Sequence, residues 1–571
     1  FPYTTLFRSP DIHITWFMVL LPVFLYAEIH YRILKLFSRY FKRQPEIVAD
    51  VPFRCGPKQK LPVLILIKDA NHYPVILNKV LVWRIERNKR LKLAEKHYDT
   101  LSISDSLWYD ILEIHPREQS GKVSLDVEIF YTCRGKEHIC RNDNYKLTSH
   151  KPFTIFFDSY PRPRLDGWVF GDMHTHSHLT SDQVEFGAPF DVSLRMARAL
   201  ELDFFASCDH SYDLDDRLDD YLRNDPELPK WHKMWQLIKK LNAEHKDFVI
   251  IPGEELSAGN ARNQNVHQLI LNNRQFFAGS GDSAEKWLKT KPQIKISDVL
   301  PRLEQNALSF AAHPIIEPPL VQKLLIRRGI WTDDDLVLDG LHGAQFWNGD
   351  KKHFLEIGLK KWVTLLLNGH RLTLIAGTDA HGSFNRFRQI GTPHVSMREE
   401  QREIFGSALT SVFVEGELSL QSILDGLRKG RVVVTDGPIA AISFRLSAFG
   451  DPRTAKSEQR KAISRKPYAV RQKPNMQCSI GDSTNAKSAM LRISALSSPG
   501  YGEIARLDIV VGDIGAKKET RRSLEAASGL LNFSGNVVLE ECPQPGYIRL
   551  ELETRVDEQS FHCFTNPIYV S

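Results

Sequence analysis

The run Gly171-Asp-Met-His-Thr-His-Ser-His178 puts three histidines within five residues, directly behind the apolar Trp168-Val-Phe170. Strand side chains repeat with period two, so an H-x-H where a strand ends aims two imidazoles the same way, and two imidazoles can share a metal ion. The same arrangement returns along the chain, each time at the end or start of a short apolar run. Phe204-Phe-Ala-Ser-Cys-Asp-His210 ends on a histidine, and Phe248-Val-Ile-Ile-Pro-Gly-Glu-Glu255 on two carboxylates. His267 opens Leu269-Ile-Leu271, Leu308-Ser-Phe-Ala-Ala-His-Pro314 supplies His313, and Leu372-Thr-Leu-Ile-Ala-Gly-Thr-Asp-Ala-His-Gly382 supplies Asp379 and His381, again two apart.

Stretches that read as helices, such as Asp191 to Leu202 and Ile296 to Asn306, lie between these runs. Parallel α/β folds gather functional groups at the carboxyl ends of their strands, so six strand ends delivering His, Asp or Glu predict a multinuclear metal site. Imidazole with carboxylate suits zinc, iron or manganese, and no thiolate is implied. A bound divalent ion lowers the pKa of its water to about 7, so no serine or cysteine nucleophile is required. Cys208, two residues before His210, reads as a small buried packing residue.

The series H-x-H, S-D, D-H, P-G-x-E, H, A-H-P and G-T-D-A-H resembles the polymerase and histidinol phosphatase (PHP) superfamily. Within it, His176-Ser-His-Leu-Thr-Ser-Asp-Gln-Val-Glu-Phe-Gly-Ala-Pro189 and the ending Thr565-Asn-Pro-Ile-Tyr569 look like the CehA/McbA metallohydrolases. The motifs span about Gly167 to His394. The resemblance implies a PHP-type distorted (β/α)7 barrel of the α/β class, flanked by N-terminal and C-terminal β-sandwich-like domains. It implies two or three divalent ions (Zn, Mn or Fe) on nine side chains. His174, His176 and Asp379 would hold one ion, with Glu255 bridging to a second that His267 and His313 complete, while Asp182, His210 and His381 would hold a third. His178 could serve in place of Asp182. Glu254, beside Glu255, is expected to point to the opposite side. Glu255, Asp379 and His381 are the expected catalytic residues.

The implied activity is metal-dependent hydrolysis of a phosphoester or of a small-molecule ester or carbamate. A phosphate dianion calls for Arg or Lys nearby. Arg386 and Arg388 follow the Asp379/His381 pair, and Lys351-Lys352 follow Phe346-Trp-Asn-Gly349. Arg386 and His178 are therefore the expected substrate contacts. Phe384, Phe387 and Trp347 in the same loops would suit an aryl ester or carbamate. Two rivals remain at this level: a non-catalytic binding or scaffold protein with structural metals, and an exonuclease acting on nucleic-acid ends, which would need a basic channel.

The 571 residues are too many for one ordinary core. Hydrophobic content of 42% and charge of 25% are those of a globular protein, and a net charge of +6 is too mild to argue for nucleic acid. Seven cysteines without a C-x-x-C pair argue against a thiolate zinc site and a disulfide framework, with a Cys133–Cys140 bridge left open. Residues 1–9 read as a translated sequencing adapter and are set aside. Residues 10–45 form an apolar and then amphipathic basic segment: Ile14 to Ala27 is shorter than the roughly 20 residues a spanning helix needs, and Ile29 to Arg43 carries five Lys or Arg. Membrane association through this segment is one reading, packing on the protein another; the expected location is cytoplasmic.

Residues 46–163 are expected to form a β-sandwich-like domain, on the apolar run Leu61–Ile67 and the alternation Val123, Leu125, Val127, Ile129, Tyr131. Residues 164–400 would be the hydrolase domain and 401–571 a β-rich domain. The excursion from Ser211 to Asp247 is a candidate lid or a solvated helix, with its acidic Asp213 to Asp220 turned outward. The stretch from Asp451 to Pro474, with eight Lys or Arg, reads as a solvated loop.

Overall fold

The computed structural model describes residues 44–87, 89–115, 120–145, 148–180, 187–220, 223–279, 281, 290–349, 352–392, 396–400, 402–445 and 478–571. The adapter-like start, the apolar and amphipathic segment up to Arg43, Asp182, Lys351 and the basic stretch 451–474 lie outside them. No helix among the described residues is long and apolar enough to cross a membrane.

Two sheets make the N-terminal unit. Glu46–Asp50, Leu61–Lys68 and Leu107–Ile114 form a three-stranded sheet. It faces a six-stranded sheet that includes Val75–Glu86, Lys89–Ile103, Gly121–Cys133 and Phe153–Phe157. Val63, Ile65 and Ile67 join Leu125, Ile129 and Phe153 in the core between the sheets. Leu64 and Leu66, on the other face of the same strand, enter the core that lies under the histidine-bearing strands. Both faces are buried, which is why Leu61–Ile67 is apolar without alternation.

The site-bearing strands lie, in spatial order, at Trp168–His176, Phe204–His210, Val249–Gly259, Asn265–Leu271, Leu308–Ala311, Gly343–Asn348 and Thr373–Gly377. The expected (β/α)7 barrel is not what they form part of. The described residues hold thirty-one strands against seven α-helices, and these strands belong to a sixteen-stranded sheet in a multi-sheet, strand-dominated molecule. Asn265–Leu271 is antiparallel to both its neighbours. A helical crossover is needed only between parallel strands, so a hairpin takes its place here. Trp168–His176 also pairs antiparallel with Leu409–Phe413, and the sheet continues through Val432–Thr435 and Gln559–Thr565 into Gly546–Val556 and Glu503–Asp513. The sheet therefore runs straight across the boundary expected near residue 400.

The helix expected over Ile296 to Asn306 shrinks to Ile296–Val299 and a 3-10 turn at Leu300–Arg302. Pro301 lacks the N–H an α-helix would need there. Phe190–Ala199 matches the other expected helix, ending before Leu202. In the excursion after His210, the helix Pro229–Glu244 buries Trp231, Met234, Trp235 and Ile238, so it is packed rather than solvated. The acidic run is also corrected: Asp213, Asp215 and Asp216 point inward and are buried, with Lys230 3.6 Å from Asp216. All seven cysteines are free thiols, so the Cys133–Cys140 bridge does not form.

Candidate metal centre

Buried backbone ties set the strand ends before any ligand is considered. Asp172, fully buried, accepts from Thr378 Oγ1 (2.5 Å) and from the N–H groups of Thr378 (3.0 Å), Gly406 (3.0 Å) and His174 (3.2 Å). The Asp379 N–H donates to the His174 carbonyl at 2.8 Å. These bonds hold the Gly377-Thr378-Asp379 loop against the H-x-H strand. Ser177 N–H and Thr180 Oγ1 both donate to Asp209 Oδ1, at 2.7 and 3.0 Å, tying that strand's end to Phe204–His210. His313 and Asp379 sit at positive φ, 29° and 59°. For residues with a Cβ this costs about 1–3 kcal/mol each, a strain that concentrates at functional sites.

Eight of the nine predicted ligands come together, seven of them around Glu255. Its Oε2 lies 3.2 Å from His174 Nε2, 3.4 Å from His176 Nε2 and 3.3 Å from His210 Nε2. Its Oε1 lies 2.5 Å from His267 Nδ1 and 3.1 Å from His313 Nε2. Asp379 Oδ1 stands 3.1 Å from His176 Nε2 and 3.4 Å from His174 Nε2, and Asp379 Oδ2 is 3.9 Å from His313 Nε2. His381 stacks on His176 with ring centroids 3.9 Å apart. The ninth, Asp182, lies outside the described residues. Asp379 and His313 keep 19% and 13% of their side-chain exposure while His174, His176 and Glu255 keep none, so the cluster opens to solvent on the Asp379/His313 side.

Three groups of these side chains offer ligand atoms close enough to hold an ion: His176, His210 and His381; His174, His176, Glu255 and Asp379; and His210, Glu255 and His267. The donor set fits a divalent ion on two counts. Ligand atoms about 2.0–2.2 Å from one tetrahedral ion stand about 3.2–3.6 Å from each other, and the separations of 3.1–3.4 Å around Glu255 Oε2 and Asp379 Oδ1 fall in or close to that range. The buried Glu255 Oε2 also has no hydrogen bond, although three imidazole nitrogens approach it.

The outer nitrogens have close neighbours. His174 Nδ1 is 2.8 Å from Gln345 Oε1, whose amide donates to Asn348 Oδ1 at 2.9 Å. His381 Nδ1 is 3.0 Å from the Asp379 carbonyl, and His210 Nδ1 is 3.3 Å from Asp213 Oδ2. On His174 and His381 the partner on Nδ1 leaves Nε2 turned toward the cluster, as metal-ligating histidines require, whereas the buried Nδ1 of His210 makes no hydrogen bond. Gln345 and Asp213 escaped the sequence reading. Gln345 stands inside an apolar run, and Asp213 belongs to the acidic run expected to face outward.

Electrostatics follow from burial and proximity. Burial opposes the charge on His174, but Glu255 and Asp379 together outweigh it and hold the imidazole up at about 10. Burial, with His381 and His210 alongside, pushes His176 well below its ordinary value, and burial takes His210 down to about 3. Burial would raise Glu255, but His267 and His174 more than offset it and hold it well below the usual carboxylate range. Glu254 behaves as its opposite-side placement predicts: it accepts from Phe277 N–H at 3.3 Å, and burial raises it far above that range.

The predicted substrate contacts fare differently. Arg386 Nη2 donates to the carbonyls of Lys151 (2.8 Å) and Pro152 (3.2 Å), and its guanidinium lies over Phe153. Arg388 pairs with Asp143 at 3.2 Å. Both therefore fasten the loop after Asp379 to the N-terminal unit. Phe384 and Phe387 are buried. His178 packs edge-on against Phe190, 5.7 Å between centroids, and burial lowers it to about 4. Arg328, which the sequence reading passed over, places its guanidinium on His267: Nη2 is 3.0 Å from Nδ1, and Nη1 is in close contact with Nε2. Cys208 is fully buried, its thiol pushed well up by burial, as a packing residue should be.

No family model matches the chain, and no curated protein matches it. Among solved structures, a "putative beta-galactosidase from bacteroides fragilis" is 8% identical with a TM-score of 0.18, covering 93% of this chain and 73% of its own. Salmonella alpha-2-macroglobulin reacted with methylamine is 8% identical with a TM-score of 0.15; 92% of this chain is covered, which spans only 23% of that protein. Likenesses this slight carry no argument about fold or function.

Proposed function

We propose that this chain is a metal-dependent hydrolase of the PHP superfamily, similar to the CehA/McbA group, that cleaves a phosphoester or a small-molecule ester or carbamate bond. The observation that carries the reading is the convergence of six imidazoles and two carboxylates, from separate strands and loops, around the buried Glu255. A divalent ion in such a set supplies Lewis acidity and a water whose pKa falls to about 7. The chain's own part is to hold and orient. Glu255 faces five histidines with its two oxygens and so links the candidate ion sites. Gln345 fixes the ring of His174, and Asp213 stands 3.3 Å from His210 Nδ1. Asp379 and His313 keep part of their side-chain exposure, and a substrate would enter on their side.

A scaffold that uses metal only for stability would need neither the solvent-facing Asp379 and His313 nor their strained backbone. A nucleic-acid role is disfavoured because Arg386 and Arg388, which follow the Asp379/His381 pair, are bound to the N-terminal unit. The test is one panel: protein loaded in turn with Zn, Mn and Fe, assayed on an aryl phosphate, an aryl ester, an aryl carbamate and single-stranded DNA. Turnover of one of the first three, abolished by His174→Ala and by His313→Ala, is the expected result. Metal uptake without any turnover, or turnover that survives both substitutions, would sink the reading.

A further inference from the structure

We infer that Asn348 is a positioning residue of the metal centre: by accepting from the Gln345 amide it holds the ring proton of His174 on Nδ1 and keeps Nε2 open to a cation. The inference rests on the metal-centre reading above and deepens it.

The backbone brings Asn348 to the right face. Side chains three apart on a regular strand point to opposite sides. Gly343–Asn348 is not regular: Gln345 stands opposite Ile375, Trp347 opposite Ala376 and Asn348 opposite Gly377, so Phe346 is an extra residue with no counterpart. Such a bulge re-aims the side chains beyond it. Ile375 and Gly377 are two apart on the neighbouring strand, and Gln345 and Asn348 therefore share a face, while Phe346 joins the core. The turn after Asn348 is pinned by Gly349 N–H to the Gly377 carbonyl and by the Trp347 indole N–H to the Gly349 carbonyl, both at 3.0 Å. Gly377 leaves the room: a Cβ there would stand 2.8 Å from His174 Cβ and 3.2 Å from Gln345 Nε2.

The result is a chain of hydrogen bonds with a direction. Asn348 Oδ1 accepts from Gln345 Nε2 at 2.9 Å, so Gln345 presents Oε1 to His174 Nδ1 at 2.8 Å. An amide oxygen only accepts, which puts a His174 proton on Nδ1. With Gln345 turned end for end, its Nε2 would face the ring, and Nδ1 would have to accept. The proton would then lie on Nε2, 3.2 Å from Glu255 Oε2, where a cation needs the lone pair. The two ends of Gln345 are nearly equal in size, so packing does not choose between the orientations. The Asn348 carbonyl does. Gln345 is fully buried and Asn348 4% exposed, so a mispaired amide end there is costly.

The experiment compares full-length wild type, Asn348→Leu, which has no acceptor, and Asn348→Asp, which has the same shape and only acceptors. Zinc affinity is read by competition with a chromophoric chelator, and melting temperature on the metal-free chains. Asn348→Leu should bind zinc about tenfold more weakly, the low end of the loss expected for an outer partner of a ligating histidine. Asn348→Asp should bind at least as tightly as wild type, because a carboxylate can hold Gln345 in one orientation only. In a Gln345→Leu background, Asn348→Leu should add less than about twofold, since the two residues act in series. Wild-type affinity in Asn348→Leu overturns the assignment. So does a further tenfold loss in the Gln345→Leu background, or a loss in both single variants that follows their melting temperatures. Should Asn348→Leu fail to fold, Asn348→Asp decides alone: affinity at or above wild type supports the assignment and a tenfold loss overturns it. Each of these failures leaves the metal centre standing, whereas wild-type protein that takes up no zinc overturns both readings together.

Discussion

Two buried polar clusters in this molecule are built on opposite plans. In the C-terminal sheet, Arg549, 1% exposed, forks onto Glu519 through Nε and Nη2, both at 2.9 Å, and reaches Glu551 at 2.7 Å. Tyr547 donates to the same Glu519 at 2.8 Å, and Arg521 closes on Glu551 at 3.0 Å. Each carboxylate there faces guanidinium donors of the chain's own. Around Glu255 the carboxylate oxygens face imidazole nitrogens whose outer partners turn lone pairs inward. That cluster offers ligand atoms close enough together to hold a cation. Burial of charge is common to both; only the second asks for a ligand.

The contrast can be broken at either end. Removing metal with a chelator should abolish turnover and lower the melting temperature, because a ligand held at a thousand times its Kd contributes about 4 kcal/mol to the folded state; the C-terminal cluster is indifferent to the chelator. Arg549→Met should do the reverse. It takes the guanidinium fork from Glu519 and leaves Glu551 with Arg521 alone, at a cost of about 3–5 kcal/mol read in a denaturant melt, while metal content per folded chain stays at the wild-type value. Gln345→Leu removes the acceptor that fixes His174. The expected loss is about tenfold to a hundredfold in metal affinity, measured by competition with a chromophoric chelator, with little change in melting temperature. The smallest effect is a proton count. His174, held at about 10 by Glu255 and Asp379, is protonated at pH 7 in the metal-free chain, whereas His176 and His210, pushed down by burial, are neutral. A cation must displace the His174 proton, so calorimetry in buffers of different ionisation heat should find about one proton released per chain on loading.

How much of this could be read beforehand differs between site and fold for a physical reason. A strand's period of two is written directly in His174-Thr-His176 and Asp379-Ala-His381, so paired ligands are legible from spacing alone, and the P-G-x-E spacing separated Glu255 from Glu254. Strand direction is not so written. The apolar runs Val249–Ile251 and Leu269–Leu271 look the same whether the second strand returns parallel or antiparallel. The turn signal Gly259-Asn-Ala-Arg-Asn263 marks the hairpin, and the barrel implied by the family resemblance is not what the structure has. Pro301 likewise marked the end of a helix that periodicity extended to Asn306. Gln345 and Arg328 were illegible for another reason: one hides in an apolar run and the other follows a short amphipathic helix, and only the tertiary pairing with His174 and His267 gives either a role. Arg386 failed in the opposite sense. Sequence proximity to the ligands suggested substrate, while packing against Phe153 and the Lys151 carbonyl gave it to the domain contact.

The most direct test of the central claim is the metal content of wild-type protein and of Glu255→Ala, each loaded with zinc or manganese, desalted and measured by elemental analysis against folded chain. Two or three ions per wild-type chain, falling by at least one in the variant, is the result this account requires. A wild-type chain that retains none, or a Glu255→Ala chain that retains as many as wild type, would show that these histidines and carboxylates do not form a metal centre organised by Glu255.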